Sequence, residues 1–586
     1  MSAVLKPAAA AEEDAAPSLF DKHRTTFERA VLACRERHCW SPYPELPALY
    51  PDAARAQAEG ASAFRAHLGS RFLLDQPGVD ASTTRIGEEV SPYTRQPLGI
   101  LYPQSDIDLL FDAAEAAIRP WADAPVDTRI GILMETLDTL YRGHLFEIAQ
   151  AVMHTAGQSF NMAYAGSGVN ALDRGIEVLV HARQAMDAVA AAARWERSFG
   201  GARIVLDKTY RRVPRGVAVC FSCASFPTWN AWPSMLASLA TGNAVIVKPH
   251  PATVLPMAIT VRVFRQVLAG AGFDPNLVTL ALDTQAAPIG KQLVLHPKTA
   301  IVDFTGSVGF GQWVERNAHP ALAFTETAGC NTVVIESVDD FDAVLRSLAT
   351  TLCMFSAQMC TSPQNIYLPA QGVHTPQGTV PLDEVARRLA SAVAAIAGDP
   401  KKAAMILATL QSPQTSALLD RMAGEGEARG EVLLRHAPYA HPEFPAARTS
   451  TPLMLKVGKG ERDLYGEERF GPVSFVIACD DAADALAQAT RDVREFGGLT
   501  AFIYSTNEAF VARAEAAYAR AGAQLTINLT GPMPLNFAAA YSDYHVTGLN
   551  PAGNASLTDL AFVAGRFRIT QSRRPASRAH ATILTT

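Results

Sequence analysis

Short apolar runs alternate with amphipathic stretches through the middle of this 586-residue chain. Each run has the length of a buried strand, and each amphipathic stretch repeats its apolar residues at helical spacing. Strands that alternate with helices predict βαβ units and a parallel sheet, which binds ligands at the carboxyl ends of its strands. The predicted strands cover residues 216–221, 244–247, 277–280, 300–304 and 332–335, and the helices near them cover 229–240, 254–270 and 341–357.

The chain before this region has a different texture. Residues 1–18 are rich in Ala and are predicted to be disordered. Residues 21–39, 53–68 and most of 106–195 show helical spacing. Residues 202–213 instead alternate apolar and polar side chains, which predicts a strand. The pattern therefore indicates a helical N-terminal part and a strand that interrupts the α/β region.

Composition narrows the class of protein. Hydrophobic residues make up 48% of the chain and charged residues 18%, a balance typical of globular proteins. The net charge of −6, without a basic block, argues against a nucleic-acid binder. Acidic residues interrupt the N-terminal Ala run, and no charge-free apolar stretch of about 18 residues occurs, so we expect neither a secretory signal nor a membrane span. Eight scattered cysteines fit a reducing compartment, and we expect a cytoplasmic protein.

Five short motifs follow one another from residue 242 onwards, and together they resemble the aldehyde dehydrogenase superfamily. Any one of them is common, whereas five in this order are specific. The resemblance covers about 90–560 and implies an α/β fold with a Rossmann-type cofactor domain and an α/β catalytic domain. The motifs are GNAVIVKP at 242–249, FTGS at 304–307 with Gly311, ETAGCN at 326–331, QMCT at 358–361 and EERFGPV at 467–473.

The resemblance also implies a division of the chain into domains. In this family a β arm pairs between subunits, so we expect a homodimer or a dimer of dimers. The expected parts are an N-terminal extension (1–85), a dinucleotide-binding domain (86–201 and 214–327), a catalytic domain (328–561) and an oligomerisation arm (202–213 and 562–586).

Cys360 is the expected nucleophile. A thiolate attacks an aldehyde readily and is a good leaving group from a thioester. Hydrolysis of such a thioester needs a water activated by a general base, and Glu326, 34 residues earlier, is the candidate. The alternative for Cys360 is a structural thiol, since free cysteines are often buried in cores. The surrounding motifs favour the nucleophile.

The segment Phe304-Thr305-Gly306-Ser307 follows an apolar strand and opens a helix. A turn of small residues lets the backbone approach an anion, and a helix N-terminus favours negative charge. Gly311 allows close packing of that helix. The resemblance implies that this turn borders the pyrophosphate and the nicotinamide of NAD or NADP. The alternative is an ordinary strand-to-helix turn.

Three further positions resemble cofactor contacts of the family. Lys248 ends a strand and by resemblance contacts the adenosine ribose. Enzymes of the family that use NAD strictly often carry Glu three residues later, where this chain has Pro251. Without a carboxylate to repel a 2′-phosphate, NADP is favoured and NAD remains possible. Glu468 and Phe470 resemble the pair that positions the nicotinamide ribose and ring.

The oxyanion site departs from the family pattern. The family usually has Asn before a Phe-Pro pair, whereas this chain has Ser225 before Phe226-Pro227. Loss of one oxyanion donor typically costs about 3 kcal/mol of transition-state stabilisation. Either Ser225 acts with the backbone N–H of Cys360, or a donor such as Asn230 or a water completes the site.

Further stretches resemble the PaaN group of phenylacetic acid degradation proteins. This resemblance implies a CoA-linked substrate, 3-oxo-5,6-dehydrosuberyl-CoA semialdehyde, which is oxidised to the free acid. The chain has no room for a fused ring-opening domain, so ring opening would need a separate protein. The stretches include 19–24, 40–45, 89–93, 151–155 and 226–230.

Three alternatives stay open at this stage. In the first, the substrate is another CoA-linked or aromatic aldehyde. In the second, the acyl group is released to CoA, although Glu326 as a water-activating base argues against this. The third is a non-catalytic scaffold with the same fold. The pair Cys220-x-x-Cys223 has metal-site spacing without a second pair nearby, and we expect no metal.

Overall fold

The computed structural model describes residues 18–327 and 329–576. The predicted disordered segment therefore lies almost wholly outside the described residues, as do Ala328 and the last ten residues of the predicted arm. The α-helices are α1 (Leu19–Glu36), α2 (Ala53–His67), α3 (Ile107–Asp123), α4 (Val126–Thr139), α5 (Leu145–Ala156), α6 (Phe160–Tyr164), α7 (Asn170–Asp187), α8 (Ala231–Ala240), α9 (Leu255–Gly270), α10 (Gly290–Leu295), α11 (Val308–Asn317), α12 (Phe341–Cys353), α13 (Leu382–Ala397), α14 (Pro400–Ile406), α15 (Pro413–Arg429), α16 (Arg462–Tyr465), α17 (Ala482–Phe496), α18 (Glu508–Ala521) and α19 (Leu560–Ala564).

The strands form two large parallel sheets and several small antiparallel ones. They are β1 (Arg85–Ile86), β2 (Tyr102–Pro103), β3 (Ala192–Phe199), β4 (Ala202–Pro214), β5 (Val217–Ser222), β6 (Ala244–Pro249), β7 (Val278–Leu280), β8 (Thr299–Gly306), β9 (Leu322–Thr327), β10 (Asn331–Ile335), β11 (Pro363–Pro369), β12 (Val373–Thr375), β13 (Gly378–Val380), β14 (Glu431–Leu434), β15 (Leu453–Gly458), β16 (Val473–Cys479), β17 (Thr500–Tyr504), β18 (Gln524–Ile527) and β19 (Phe567–Pro575).

The first large sheet has the strand order β7-β6-β5-β8-β9, and all its neighbours are parallel. Every residue of β5 and β6 is buried, because helices cover both faces of the sheet. This burial explains why these strands are continuous apolar runs in the sequence. The predicted α/β fold is confirmed. Register pairs Thr305 with Glu326 and Gly306 with Thr327, so the ends of β8 and β9 lie side by side.

The second large sheet has the order β14-β15-β16-β11-β10-β17-β18. Its strands are parallel except for β14, which runs antiparallel to β15. Two separate apolar clusters lie on this sheet, one containing residues of α17 and α18 and the other residues of α12 and α13. The turn that carries Cys360 leads directly into β11 of this sheet.

A third, three-stranded antiparallel sheet has the order β19-β4-β3 and is largely exposed. The sequence predicted β4 but assigned residues up to 195 to a helical region, and this was wrong for β3. The alternation of apolar and polar residues in β3 is weak. Its antiparallel pairing with β4 therefore decides that this segment is a strand. The segment predicted as an arm after 562 contains the end of α19 and then β19, which pairs with β4.

The N-terminal helices pack on the first α/β region. α1 lies against α4 and α7, and its Phe20 and Phe27 are buried in the same core as β5 and β6. α2 lies against α5, where His67 contacts the buried carboxylate of Glu147 at 2.8 Å. In the described part of the chain, no helix is both long enough and apolar enough to cross a membrane.

Candidate active site

Cys360 follows a strained turn. The predicted helix over 341–357 ends at Cys353, because Phe355, Ser356 and Ala357 have φ of 46°, 48° and 50°. Left-handed backbone costs about 1–3 kcal/mol per non-glycine residue and needs support from its surroundings. The Ser356 hydroxyl donates to the Leu407 carbonyl at 2.9 Å, which supplies part of this support. The turn replaces the last helical turn and sets the direction of the thiol.

Two buried amides hold the backbone around the thiol. Asn331 Nδ2 donates to the carbonyls of Cys360, at 2.7 Å, and of Ser362, at 2.8 Å. Its Oδ1 accepts hydrogen bonds from the backbone N–H groups of residues 499 and 500. Gln358 Nε2 donates to the Thr409 carbonyl at 2.8 Å. Cys360 is therefore fixed from both sides.

Glu326 lies near the end of β9, and both of its carboxylate oxygens have partners. Asn230 Nδ2 donates to Oε2 at 2.9 Å, and His545 Nε2 lies 2.9 Å from Oε1. Burial alone raises the pKa of Glu326. The facing His545, with hydrogen bonds from His545, Cys360 and Asn230, outweighs that effect and holds the pKa below its usual range. Glu326 is therefore a buried carboxylate in its ionised form.

His545 is a site residue that the sequence reasoning missed. Its Nε2 lies 3.8 Å from Cys360 Sγ as well as 2.9 Å from Glu326. It belongs to an irregular segment, 185 residues after Cys360, which carries none of the family motifs. A lone histidine at that separation gives no sequence signal. We call Cys360, Glu326, His545 and Asn230 the thiol pocket.

Contacts from distant parts of the chain hold His545 in place. Its backbone bridges to Leu557, with the N–H of Leu557 donating to the His545 carbonyl at 2.9 Å. The Trp229 ring packs edge-on against the imidazole at 4.6 Å between centroids. The buried guanidinium of Arg174 lies over Trp229 and donates to the Asp543 carbonyl at 2.9 Å.

The thiol of Cys360 is protonated at rest. Burial, and then the neighbouring Glu326 carboxylate, raises the pKa of Cys360 well above its usual range. A thiol is a much weaker nucleophile than a thiolate. Attack on an aldehyde therefore requires that the proton leave Cys360 for a neighbouring group, and Glu326 and His545 are both in contact with it.

Of the predicted oxyanion residues, Asn230 belongs to the thiol pocket and Ser225 lies beside it. Asn230 commits one N–H of its amide to Glu326, and its Oδ1 lies 4.0 Å from the Cys223 thiol. Ser225 is half-buried, and its carbonyl accepts from Gln158 Nε2 at 2.7 Å. The Ser225 hydroxyl faces the Cys223 thiol, whose pKa burial raises to about 11. Cys223 is thus a neighbour of the pocket.

The turn at Gly306-Ser307 lies between β8 and α11. A Cβ on Gly306 would lie 2.8 Å from the Phe304 ring, and one on Gly311 would lie 2.3 Å from Thr327 Cγ2. Glycine is therefore required at both positions for this packing. Ser307 is the N-cap of α11, and its hydroxyl makes no capping hydrogen bond with the described residues. A free helix N-terminus beside a small-residue turn fits the pyrophosphate of a dinucleotide.

Lys248 lies near the carboxyl end of β6. Its Nζ contacts the Asp283 carboxylate at 2.8 Å, and both side chains are almost buried. His250, two residues after Lys248, is exposed, whereas Pro251 is buried. At the position where strict NAD enzymes of the family often carry Glu, this chain thus has a buried proline and no carboxylate.

Glu468 and Phe470 line a small pocket together with Met359 and Ser362, the neighbours of Cys360 in sequence. Gln364 holds this turn, because its Oε1 accepts from the Arg469 N–H at 2.6 Å. Burial raises the pKa of Glu468 to about 8, and its side chain accepts no hydrogen bond from the described residues. We call the Gly306-Ser307 turn, Lys248 and Glu468 the cofactor edge.

Comparison with known proteins now identifies the family. Residues 79–535 match the model of the aldehyde dehydrogenase family. The chain belongs to the aldehyde dehydrogenase family. The superfamily resemblance stated from the motifs is confirmed, and with it aldehyde dehydrogenase chemistry that depends on NAD or NADP.

Relatives of this aldehyde dehydrogenase cover most of its length. An NAD-dependent aldehyde dehydrogenase from Burkholderia multivorans is 44% identical, with a TM-score of 0.91 over 96% of this chain and 99% of that one. The 3-succinoylsemialdehyde-pyridine dehydrogenase of a Pseudomonas species is 24% identical over 81% of this chain and 94% of its own. Vanillin dehydrogenase of Corynebacterium glutamicum is 24% identical over 74% of this chain and 85% of its own length.

Proposed function

We propose that this aldehyde dehydrogenase oxidises its substrate to a carboxylic acid with Cys360 as the nucleophile and Glu326 as the base. The observation that carries the proposal is the contact of one thiol with an ionised carboxylate inside a buried pocket. A nucleophile within reach of a base, which other side chains hold in place, is the signature of covalent catalysis.

In the first step the Cys360 thiol loses its proton to the Glu326–His545 pair and its sulfur bonds to the aldehyde carbon. The carbonyl oxygen takes up negative charge as the thiohemiacetal forms. The backbone N–H of Cys360 and the Ser225 hydroxyl are our proposed donors to this oxygen, since the Asn230 amide already supports Glu326. When bound, NAD or NADP supplies the acceptor for the hydride that leaves the thiohemiacetal carbon.

In the second step a water attacks the thioester on Cys360. Glu326, after the first proton has passed to solvent, accepts a proton from this water, the C–S bond breaks, and the thiol regains a proton as the acid leaves. Asn230 and His545 keep the carboxylate ionised and fix its direction through one hydrogen-bond contact each, at 2.9 Å. This role of Glu326 favours release to water over release to CoA.

We propose a semialdehyde of aromatic catabolism as the substrate, specifically 3-oxo-5,6-dehydrosuberyl-CoA semialdehyde. The support is the resemblance of the N-terminal stretches to the PaaN group. The names of two relatives are compatible with it, since one acts on a pyridine-linked succinoyl semialdehyde and the other on vanillin. The alternative within the same chemistry is another CoA-linked or aromatic aldehyde.

We propose NADP as the favoured cofactor, with NAD accepted. The position of the carboxylate in strict NAD enzymes holds Pro251, and the carboxylate that contacts Lys248, Asp283, is neutralised by that lysine. The Burkholderia neighbour is named NAD-dependent, which makes a direct comparison of both cofactors necessary.

We further propose a homodimer or a dimer of dimers in the cytoplasm. The sheet β19-β4-β3 is exposed along both outer strands, and such edges are usually covered by another chain. The eight cysteines, all within residues 18–576, form no disulfide with one another, as expected for a reducing compartment.

The decisive test is a substrate panel with CoA-linked and free semialdehydes, each with NAD and with NADP. We expect the highest kcat/KM with a CoA-linked semialdehyde and NADP, and a loss of at least about 10⁴-fold in Cys360→Ala. Cys39→Ala, which removes an exposed thiol far from any motif, is the matched control. Turnover in Cys360→Ala, or none with any aldehyde in the wild type, would refute the proposal, and acyl-CoA formed from free CoA would redirect it to acyl transfer.

A further inference from the structure

The donor atoms of the thiol pocket converge on one point. Cys360 Sγ, His545 Nε2 and a carboxylate oxygen of Glu326 all lie within 4.8 Å of one another. His545 Nε2 lies 3.8 Å from Cys360 Sγ and 2.9 Å from Glu326 Oε1. Three different segments of the chain supply these three atoms.

This geometry differs from a proton relay. In a nucleophile–histidine–carboxylate triad, one ring nitrogen faces the nucleophile and the other faces the carboxylate. Here Nε2 of His545 faces both, and a single nitrogen cannot accept from the thiol while it donates to the carboxylate. Three donor atoms around one centre are instead the arrangement that a metal ion requires.

We propose that Cys360, His545 and Glu326 form a reversible zinc-binding site, and that zinc bound there blocks the enzyme. Thiolate, imidazole and carboxylate are the three ligand types of zinc in proteins, and sites with three protein ligands leave the fourth position to water. Binding itself does not depend on the proposed function, whereas the inhibition does.

The distances and charges suit a tetrahedral ion. With usual zinc–ligand bonds, neighbouring ligand atoms stand about 3.4–3.6 Å apart. The two contacts of His545 Nε2, at 3.8 and 2.9 Å, would therefore change by roughly 0.5 Å or less. On binding, the Cys360 S–H bond breaks, its proton goes to solvent, and the sulfur bonds to the metal. One thiolate and one carboxylate then neutralise the two charges of zinc. Asn230 fixes the other Glu326 oxygen at 2.9 Å, which orients this ligand.

One other cluster of this type occurs in the described residues, and it is less suited. His23, Glu135 and Asp138 also bring three donor atoms together. The Lys22 ammonium already pairs with the Glu135 carboxylate, with its Nζ 2.6 and 2.8 Å from the two oxygens, and would compete with a metal ion for them. This cluster offers no thiolate. We therefore expect one tight zinc ion per chain.

The test is titration of the chelator-treated full chain with Co²⁺, a spectroscopic substitute for zinc, in a reductant that lacks thiols. We expect one equivalent to bind with a thiolate-to-cobalt band in the near ultraviolet, which zinc then abolishes. Cys360→Ser should lose the band, and His545→Gln should bind cobalt at least about tenfold more weakly. Cys223→Ser, a neighbouring thiol outside the ligand set, should behave as the wild type.

The proposal is overturned if the band survives in Cys360→Ser, if it depends on Cys223, or if the wild type binds no cobalt. Should a variant fail to fold, zinc must still slow iodoacetamide alkylation of Cys360 in the wild type, read by peptide mass spectrometry. With an active enzyme, saturating zinc should reduce turnover at least about tenfold, and EDTA should restore it. Cobalt binding by a protein without dehydrogenase activity would refute the proposed function and leave the metal site standing.

Discussion

The thiol pocket and the cofactor edge satisfy their polar groups in different ways. In the thiol pocket Glu326 has a partner on each oxygen, and its pKa lies below the usual range. At the cofactor edge Glu468 and the Ser307 hydroxyl have no hydrogen-bond partner among the described residues, and the pKa of Glu468 rises to about 8. The pKa values of these two carboxylates thus shift in opposite directions. The carboxylate of the thiol pocket already has its hydrogen-bond partners within the protein, whereas Glu468 and Ser307 at the cofactor edge are left to pair with a ligand.

The largest effect is expected when Glu326, the general base of the thiol pocket, is replaced. Glu326→Gln keeps the shape but removes the charge, and its amide oxygen can face only one of Asn230 and His545. We expect steady-state turnover to fall by about 10²–10⁴-fold while the acyl-enzyme on Cys360 accumulates. Intact-protein mass spectrometry and the initial burst of reduced cofactor measure the two steps separately. If the burst disappears together with turnover, the Cys360 thiol depends on Glu326 for the loss of its proton, and His545 alone cannot replace it.

The difference between the two regions also explains what the sequence could reveal. The Gly306-Ser307 turn of the cofactor edge lies between a strand and a helix that are contiguous in the chain, so a short motif that resembles the family could point to it. Cys360 and Glu326 were also predicted from motifs, and the structure brings their donor atoms within 4.8 Å of each other. The thiol pocket also needs His545, which reaches Cys360 across 185 residues. No local pattern encodes such a contact.

Two further errors have the same origin. Helix α12 was predicted to continue to 357, yet it ends at Cys353 because Ser356 and Gln358 donate hydrogen bonds to the carbonyls of Leu407 and Thr409, which hold the left-handed turn. Strand β3 was predicted as helix because its pairing with β4, and not its own pattern, sets its conformation. In each case a tertiary contact outweighs the local preference.

Two buried arginines, Arg174 near the thiol pocket and Arg566 near β8, allow the thiol pocket and the cofactor edge to be perturbed separately by the same substitution. Arg174 pairs with Glu177 at 2.8 Å and supports the segment that carries His545, whereas Arg566 pairs with Asp303 in β8 at 2.6 Å. Replacing either by Met leaves a buried carboxylate unpaired, so we expect the free energy of unfolding to fall by about 3–5 kcal/mol in both.

The kinetic consequences should separate the two arginine variants. Arg174→Met should mainly lower kcat, and Arg566→Met should mainly raise the KM for the cofactor. Urea unfolding and steady-state kinetics provide the measurements. The double variant Arg174→Met/Glu177→Gln should regain part of the lost stability, since it removes the unpaired charge. Equal kinetic defects in both single variants would show that the two regions are not independent.

A smaller effect is expected within the cofactor edge itself. In Gly311→Ala the new Cβ would lie 2.3 Å from Thr327 Cγ2, so α11 must move away from β9. We expect a loss of about 1–3 kcal/mol in unfolding free energy and a higher cofactor KM. Gly309→Ala is the control, because its Cβ meets no described heavy atom within 4 Å and Ala favours the same helix by about 1 kcal/mol. An unchanged cofactor KM in Gly311→Ala would contradict the placement of this turn at the cofactor.

The smallest effect tests the unpaired carboxylate of Glu468. Its pKa in the folded protein, about 8, lies above that of an unfolded chain, about 4.5, because burial disfavours the charged form. A raised pKa gives a contribution to stability that is complete below pH 4.5 and is lost as the pH rises through 8. Glu468→Gln cannot ionise, so without cofactor it should melt with the wild type at pH 5 and a few degrees higher at pH 9. Glu467→Gln alters the exposed neighbour, which pairs with Arg469 at 2.8 Å, and should show no such crossover. If both variants follow the wild type across this pH range, Glu468 is already ionised and paired in the free enzyme, and the contrast with Glu326 fails.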